Sequence, residues 1–160
     1  MSTPQDTTTP AAPALTKHDI LVPCSVDDEF LAGIITTAVE GGIGYWSLVT
    51  QYHFKYSSEE DGFLNFAEVT VHEEADSDYE GPTIRGGIDS RYKKEGVHVT
   101  MEKVLAVLRR ICDPAETMSL HKDYRDGIRS AVMQADCGML DSSDCDNIIQ
   151  LVVLNDIVYG

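Results

Sequence analysis

Tyr45-Trp46-Ser47-Leu48-Val49-Thr50-Gln51-Tyr52-His53-Phe54-Lys55-Tyr56 is followed by the polar link Ser57-Ser58-Glu59-Glu60-Asp61-Gly62 and then by Phe63-Leu64-Asn65-Phe66-Ala67-Glu68-Val69-Thr70-Val71-His72-Glu73-Glu74. Both segments are rich in β-branched and aromatic residues, and the second alternates apolar and polar side chains, so the pair predicts a hairpin of two long strands, over about 45–56 and 63–74. In the first strand Trp46, Leu48, Thr50, Tyr52, Phe54 and Tyr56 share one face. In the second, Ala67, Val69 and Val71 point one way while Glu68, Thr70 and His72 point the other. Matching the apolar faces sets Phe54 opposite Ala67, His53 opposite Glu68 and His72 opposite Val49.

Upstream, Phe30, Leu31, Ile34, Ile35, Ala38 and Val39 recur at spacings of three and four. They predict a helix over 26–40, capped by Ser25 with Asp28 in the first turn and stopped by Gly41-Gly42. Downstream, 75–82 reads as an acidic loop, Thr83-Ile84-Arg85 and Val97-His98-Val99 as short strands, and Thr100 as the cap of a helix. That helix carries the stripe Met101, Val104, Leu105, Leu108, Ile111 and Cys112 and ends at Asp113-Pro114. Two more helices are predicted, at about 118–135 and 143–157, the latter started by Ser143 with Asp146. One helix, a hairpin, short strands and then helices define an α+β class, with a small antiparallel sheet packed on about four helices. Residues 1–14 hold no large apolar side chain, so a disordered tail is expected there and a single domain over 15–160.

The formal net charge is −15 over 160 residues, from 27 acidic and 12 basic side chains. Residues 1–82 carry 15 acids against 2 bases, a balance of −13; residues 83–130 carry 7 against 10, or +3; residues 131–160 carry 5 and none, or −5. Such a chain is a poor ligand for nucleic acid or anionic membranes, because phosphate neutralisation needs clustered Lys and Arg. It suits a basic host protein as partner. The start shows no secretory pattern, and the longest apolar run, Leu151–Leu154, is too short to span a bilayer. Cys24, Cys112, Cys137 and Cys145 form no close pair in sequence, so free thiols and a cytoplasmic setting are expected, with no disulfide, metal or cofactor.

Each candidate site has an ordinary structural reading beside the functional one. Glu40-Gly41-Gly42-Ile43-Gly44-Tyr45-Trp46 looks like a phosphate loop, but its glycines follow a helix and precede a strand, the reverse of the order that aims amides at phosphate. A tight turn over a buried Trp46 explains it; a small-ligand or partner pocket at Tyr45 and Trp46 is the sharper alternative. Acid–base chemistry there would fall to Glu40, Tyr45 or His53. His53, His72 and His98 all lie on polar strand sides, yet the register above puts His53 and His72 roughly 13 Å apart along the strand, too far for a shared metal. Asp141-Ser142-Ser143-Asp144-Cys145-Asp146 lacks the glycine and terminal Glu of a calcium loop. Cys24, just before a helix start, is the thiol placed to favour a thiolate, and Cys112 falls on an apolar stripe.

Glu40-Gly41-Gly42-Ile43-Gly44-Tyr45-Trp46, together with the ending Ile148-Ile149-Gln150-Leu151 and Asp156-Ile157-Val158-Tyr159-Gly160, resembles a group of small acidic proteins of actinobacteria and their bacteriophages. Where that group has an aromatic-Gly-Glu before its closing Val-Tyr-Gly, this chain has Leu154-Asn155-Asp156. The resemblance implies a phage or mobile-element setting and lends no activity, cofactor or catalytic residue.

The final predicted helix is apolar nearly all round. It must be enclosed by the rest of the chain or covered by a second copy, and a homodimer through Ile149, Val153, Leu154 and Ile157 is the expectation. A non-catalytic interaction or regulatory protein with an acidic surface is the leading functional reading. An enzyme or ligand-binding protein using the Glu40–Trp46 turn, and a DNA mimic that blocks a basic nucleic-acid-binding protein, are the alternatives.

Overall fold

The computed structural model describes residues 23–57 and 62–160. The tail expected over 1–14, and the onset of order expected at 15–22, lie outside the described residues. Among them the chain runs α1 (Asp28–Gly41), β1 (Ser47–Tyr56), β2 (Leu64–Glu73), β3 (Val97–Thr100), α2 (Met101–Cys112), α3 (Lys122–Gln134) and α4 (Ser142–Val153), with short 3-10 turns at Ile43–Tyr45, Gly87–Arg91 and Cys137–Met139. The three strands form one antiparallel sheet in the order β1-β2-β3. The α+β class expected from the sequence is the class the chain adopts.

The sheet is half-buried. Ala67, Val69, Val71 and Val99 turn inward and are fully enclosed. Against them lies α1, whose face of Phe30, Leu31, Ile34, Ile35 and Ala38 packs across β2 and onto α4. The other face of the sheet carries Thr50, His53, Glu68, Thr70, His72 and His98, as alternation demands of a sheet with one wet side.

The hairpin register has Phe54 opposite Ala67 and His53 opposite Glu68, as the sequence predicts. His72, however, lies opposite Leu48 rather than Val49. A β-bulge between Thr50 and His53, with Gln51 at φ +51, inserts one extra residue into β1 and moves the register by one. Leu48 and Thr50 therefore do not share a face with Tyr52, Phe54 and Tyr56. Periodicity two cannot reveal an inserted residue, because every position beyond it still alternates.

The caps also differ. Asp27, not Ser25, caps α1 by accepting from the Phe30 amide at 2.9 Å. Thr100 caps α2 as expected. Asp141, with Asp144 answering as the second half of a capping box, starts α4, in place of Ser143 with Asp146. That shift carries Asp146 from the first turn toward the interior. Helix α4 also stops at Val153, with Asn155 at φ +57 breaking the backbone, so Ile157 and Val158 belong to an extended tail that turns back over the fold. Helix α3 begins at Lys122 rather than near 118, and Thr83–Arg85 makes only an isolated bridge, Thr83 to Lys93.

Helix α4 is central. Cys145, Ile148, Ile149 and Leu151 are buried, packed among α1, α2 and the sheet. Ile149, at 1% exposure, has no surface to offer a second chain, while Val153, Leu154 and Ile157 are half-buried against the same core. Within one chain, Cys145 to Leu151 are buried and the last turn, Val152 to Leu154, is half-buried.

Candidate functional site

The glycine turn after α1 brings Tyr45 and Trp46 against α4. At Gly42 a Cβ would lie 2.8 Å from the Ser142 carbonyl oxygen and 3.2 Å from Asp146 Cβ, so α1 and α4 can approach this closely only with no side chain there. Trp46 is fully buried and donates Nε1–H to Asp146 Oδ1 at 2.7 Å. The Tyr45 hydroxyl donates to Asp146 Oδ2 at 2.8 Å, and Gln150 Nε2 donates to the same oxygen at 2.9 Å. Three donors thus converge on one buried carboxylate, a group that only accepts when ionised.

Gln150, with no exposed surface, carries the network on to the C-terminus. Its Oε1 accepts the amides of Val158 and Tyr159 at 2.9 and 2.8 Å, and its Nε2 donates to the Tyr159 carbonyl at 2.7 Å. The Tyr159 ring then stacks on Trp46, with centroids 5.3 Å apart and planes 8° from parallel, and its hydroxyl donates to Glu73 Oε1 at 3.1 Å. Glu73 in turn pairs with Lys93. Partial burial, then the hydrogen bond and charge of Asp146, push the Tyr45 hydroxyl up to about 12. Burial and then the neighbouring charge of Glu73 push Tyr159 up to about 12 as well. Both phenols are held neutral, as donors. Among the described residues every buried side-chain nitrogen and oxygen has a partner, and Trp46 lies between Tyr159 and the core.

The structure joins Tyr45 and Trp46, therefore, but as parts of one hydrogen-bonded seam, Trp46 buried and Tyr45 56% exposed. Glu40 stands exposed at the end of α1, and His53 stands on the outer face of the sheet, 65% exposed at its side chain. Neither reaches Asp146. The three residues named for acid–base work do not converge.

The histidines divide. His72 is nearly buried, held by Thr50 Oγ1 at 3.0 Å and the Lys93 carbonyl at 3.1 Å. His53 Nδ1 and His98 Nε2 each lie 3.2 Å from Glu68, on its two different oxygens. This carboxylate links all three strands through their side chains. Among the described residues, no group of three His, Cys, Asp or Glu side chains is placed to hold a metal ion.

Sequence reasoning missed the burial of Asp146, placed there in a helix cap, and of Gln150. A signal was available: a buried Trp46 needs an acceptor for its indole N–H. It also missed the spatial pairing of cysteines, since Cys24 and Cys112 wall the same cavity.

Comparison with models of protein families, with curated proteins and with solved structures finds no match to this chain. Among the described residues, no helix is long and apolar enough to cross a membrane.

Proposed function

We propose that the protein is a non-catalytic interaction protein that docks a basic, arginine-bearing partner through its β1–β2 hairpin. The observation that carries this reading is an aromatic ladder on the far half of the hairpin. Tyr52 and Phe54 lie 5.2 Å apart by ring centroid, and Phe54 and Tyr56 6.0 Å, edge to face. Tyr52 is anchored by its hydroxyl to Thr36 of α1, but Phe54 is 48%, Tyr56 56% and Phe63 54% exposed. Contiguous exposed aromatics are costly in water and are typical of binding surfaces.

The charge around the ladder selects the partner. Glu40 raises the pKa of Tyr52 through space, after burial as the larger cause, so an exposed carboxylate stands near the root of the ladder. Glu59, Glu60 and Asp61 follow Tyr56 in sequence. Aromatic faces flanked by carboxylates favour guanidinium groups, which stack and pair at once. The homodimer expectation rested on α4, in which Cys145 to Leu151 are buried, so the reading takes a basic host protein as occupant.

The test is fluorescence anisotropy of the full chain with an arginine-rich peptide and a lysine-rich peptide of equal length and charge. The arginine peptide should bind more tightly, binding should weaken with salt, and Phe54→Ala or Tyr56→Ala should weaken it about tenfold, the scale of an aromatic hot spot. Both side chains are exposed, so the fold should survive. Equal binding of the two peptides, indifferent to both substitutions, would overturn the reading. A DNA mimic would bind both peptides alike and compete with duplex DNA for a basic DNA-binding protein.

A further inference from the structure

Cys24 and Cys112 are 88 residues apart in sequence, yet they wall one cavity of about 260 Å³ between the segment entering α1, α2 and α3. Val26, Leu105, Leu108 and Val132 supply its apolar lining. Cys24 is exposed and Cys112 half-buried. The two thiols sense each other: burial raises the Cys112 pKa first and Cys24 raises it next, with Arg129 and Arg125 pulling the other way.

The two sides of the cavity differ in how they are hydrogen-bonded. Arg125 and Arg129 clamp the end of α2 by donating to the carbonyl oxygens of Ile111 and Asp113, at 2.6 to 3.3 Å. Pro23, Cys24 and Ser25 are exposed, lie outside any helix or strand, and make no hydrogen bond among the described residues. A disulfide needs its two Cβ atoms about 4 Å apart, and a loosely held segment can adjust to a fixed partner without straining the core.

We propose that Cys24 and Cys112 are a redox pair that closes to an intramolecular disulfide by exchange with a small-molecule disulfide of the glutathione class. The Cys24 thiolate attacks one sulfur of glutathione disulfide, the sulfur–sulfur bond breaks, and one glutathione leaves with the electron pair and takes up a proton. Cys112 then loses its proton to solvent, and its thiolate attacks Cys24 Sγ and displaces the second glutathione. Two protein thiols are oxidised and one disulfide is reduced to two thiols. The exposed cysteine enters first, and the raised Cys112 makes the second step the slower one, faster as pH rises. Closure ties the segment that leads into α1 to the end of α2. Cys137 and Cys145 serve as internal controls, since Cys145 has no exposed surface and burial pushes its thiol up to about 12.

The experiment treats the reduced full chain with glutathione disulfide in mildly alkaline buffer, quenches with acid, alkylates under denaturing conditions and reads intact mass and peptide map. The expected product carries alkyl groups on Cys137 and Cys145 only, and a cross-linked peptide joining Cys24 to Cys112. Cys112→Ser should stop at glutathione on Cys24, and Cys24→Ser should leave Cys112 largely unmodified. Persistent glutathione on Cys24 of the parent chain, four alkylated thiols, or a cross-link joining any other pair would overturn the proposal. The decisive readout uses the parent chain and does not depend on a variant folding.

Discussion

Replacing Asp146 with Asn changes one atom and keeps the shape, yet it should cost about 2–4 kcal/mol. The reason is the direction of three hydrogen bonds. Trp46 Nε1–H donates to Oδ1, while Tyr45 and Gln150 donate to Oδ2. An asparagine offers one oxygen and one NH2. With its NH2 in the Oδ1 position, it confronts the indole N–H, which cannot accept. With its NH2 in the Oδ2 position, Tyr45 can rotate its hydroxyl to accept, but Gln150 cannot reverse its amide. The Gln150 Oε1 is committed to two backbone N–H groups, of Val158 and Tyr159, which only donate. Either orientation leaves one buried donor facing another, at ~1–3 kcal/mol, and gives up hydrogen bonds to a charged acceptor, which run ~1.5–3 kcal/mol each. The two losses overlap, since the donor left facing a donor is the one that gives up the charged acceptor, so the total is put at about 2–4 kcal/mol rather than their sum.

Trp46 is the single tryptophan and is fully buried, so its emission reports unfolding directly. With a urea slope of about 2 kcal/mol/M, the midpoint should fall by about 1–2 M. Asp144→Asn is the control. Its side chain accepts only the Asp141 amide in the capping box, which an asparagine oxygen can also do, so its midpoint should move by ~0.5 M or less. A midpoint for Asp146→Asn within about 0.3 M of the parent chain would refute the idea that the carboxylate is a one-way acceptor at the centre of the seam.

Gly42→Ala should destabilise by about 1–3 kcal/mol through overpacking at the α1–α4 crossing, while Gly41→Ala, whose Cβ would meet Ser142 Cβ at an ordinary 3.4 Å, should be neutral or stabilising; equal Tm values for the two would contradict the close approach. Tyr45 and Tyr159 hold their protons more tightly folded than unfolded, from the usual 10 up to about 12. Their contribution is therefore complete below about pH 10 and lost as pH rises toward 12. Urea midpoints measured over that interval should fall more steeply for the parent than for a Tyr45→Phe, Tyr159→Phe double variant, and parallel slopes would show that neither phenol is coupled to folding.

Much of the fold was legible because it rests on patterns local in sequence. The stripe of α1, the Thr100 cap, and the alternation of Ala67, Val69 and Val71 each need only a few neighbouring residues to be read, and each is where the sequence puts it. The bulge at Gln51 was not legible, since a one-residue insertion leaves alternation intact on both sides and is visible only against the partner strand. The three-way contact of His53, Glu68 and His98 failed for a different reason. His53 opposite Glu68 follows from the hairpin, but His98 reaches Glu68 only once β3 is known to pair with β2, Thr70 opposite His98, which no local pattern specifies.

Helix α4 shows how a correct pattern can lead to a premature partner. Its apolar circumference rightly required cover, but its polar residues were given no partners. Once α4 is central, Asp146 and Gln150 are buried because the helix is, and a buried polar side chain must be paired or it costs more than it contributes. The pairs were all within reach in the same sequence: an indole that needs an acceptor at Trp46, a phenol beside it at Tyr45, and a C-terminal segment whose amides have no helix or strand to satisfy them. The primary amide of Gln150 can accept two of those amides while donating to both the Asp146 carboxylate and the Tyr159 carbonyl. The seam thus fixes which way the last four residues run and sets Tyr159 against Trp46. Part of the cover that α4 requires comes from Val158 and Tyr159 of the same chain. The hairpin keeps Phe54, Tyr56 and Phe63 among the exposed apolar side chains, outside this seam.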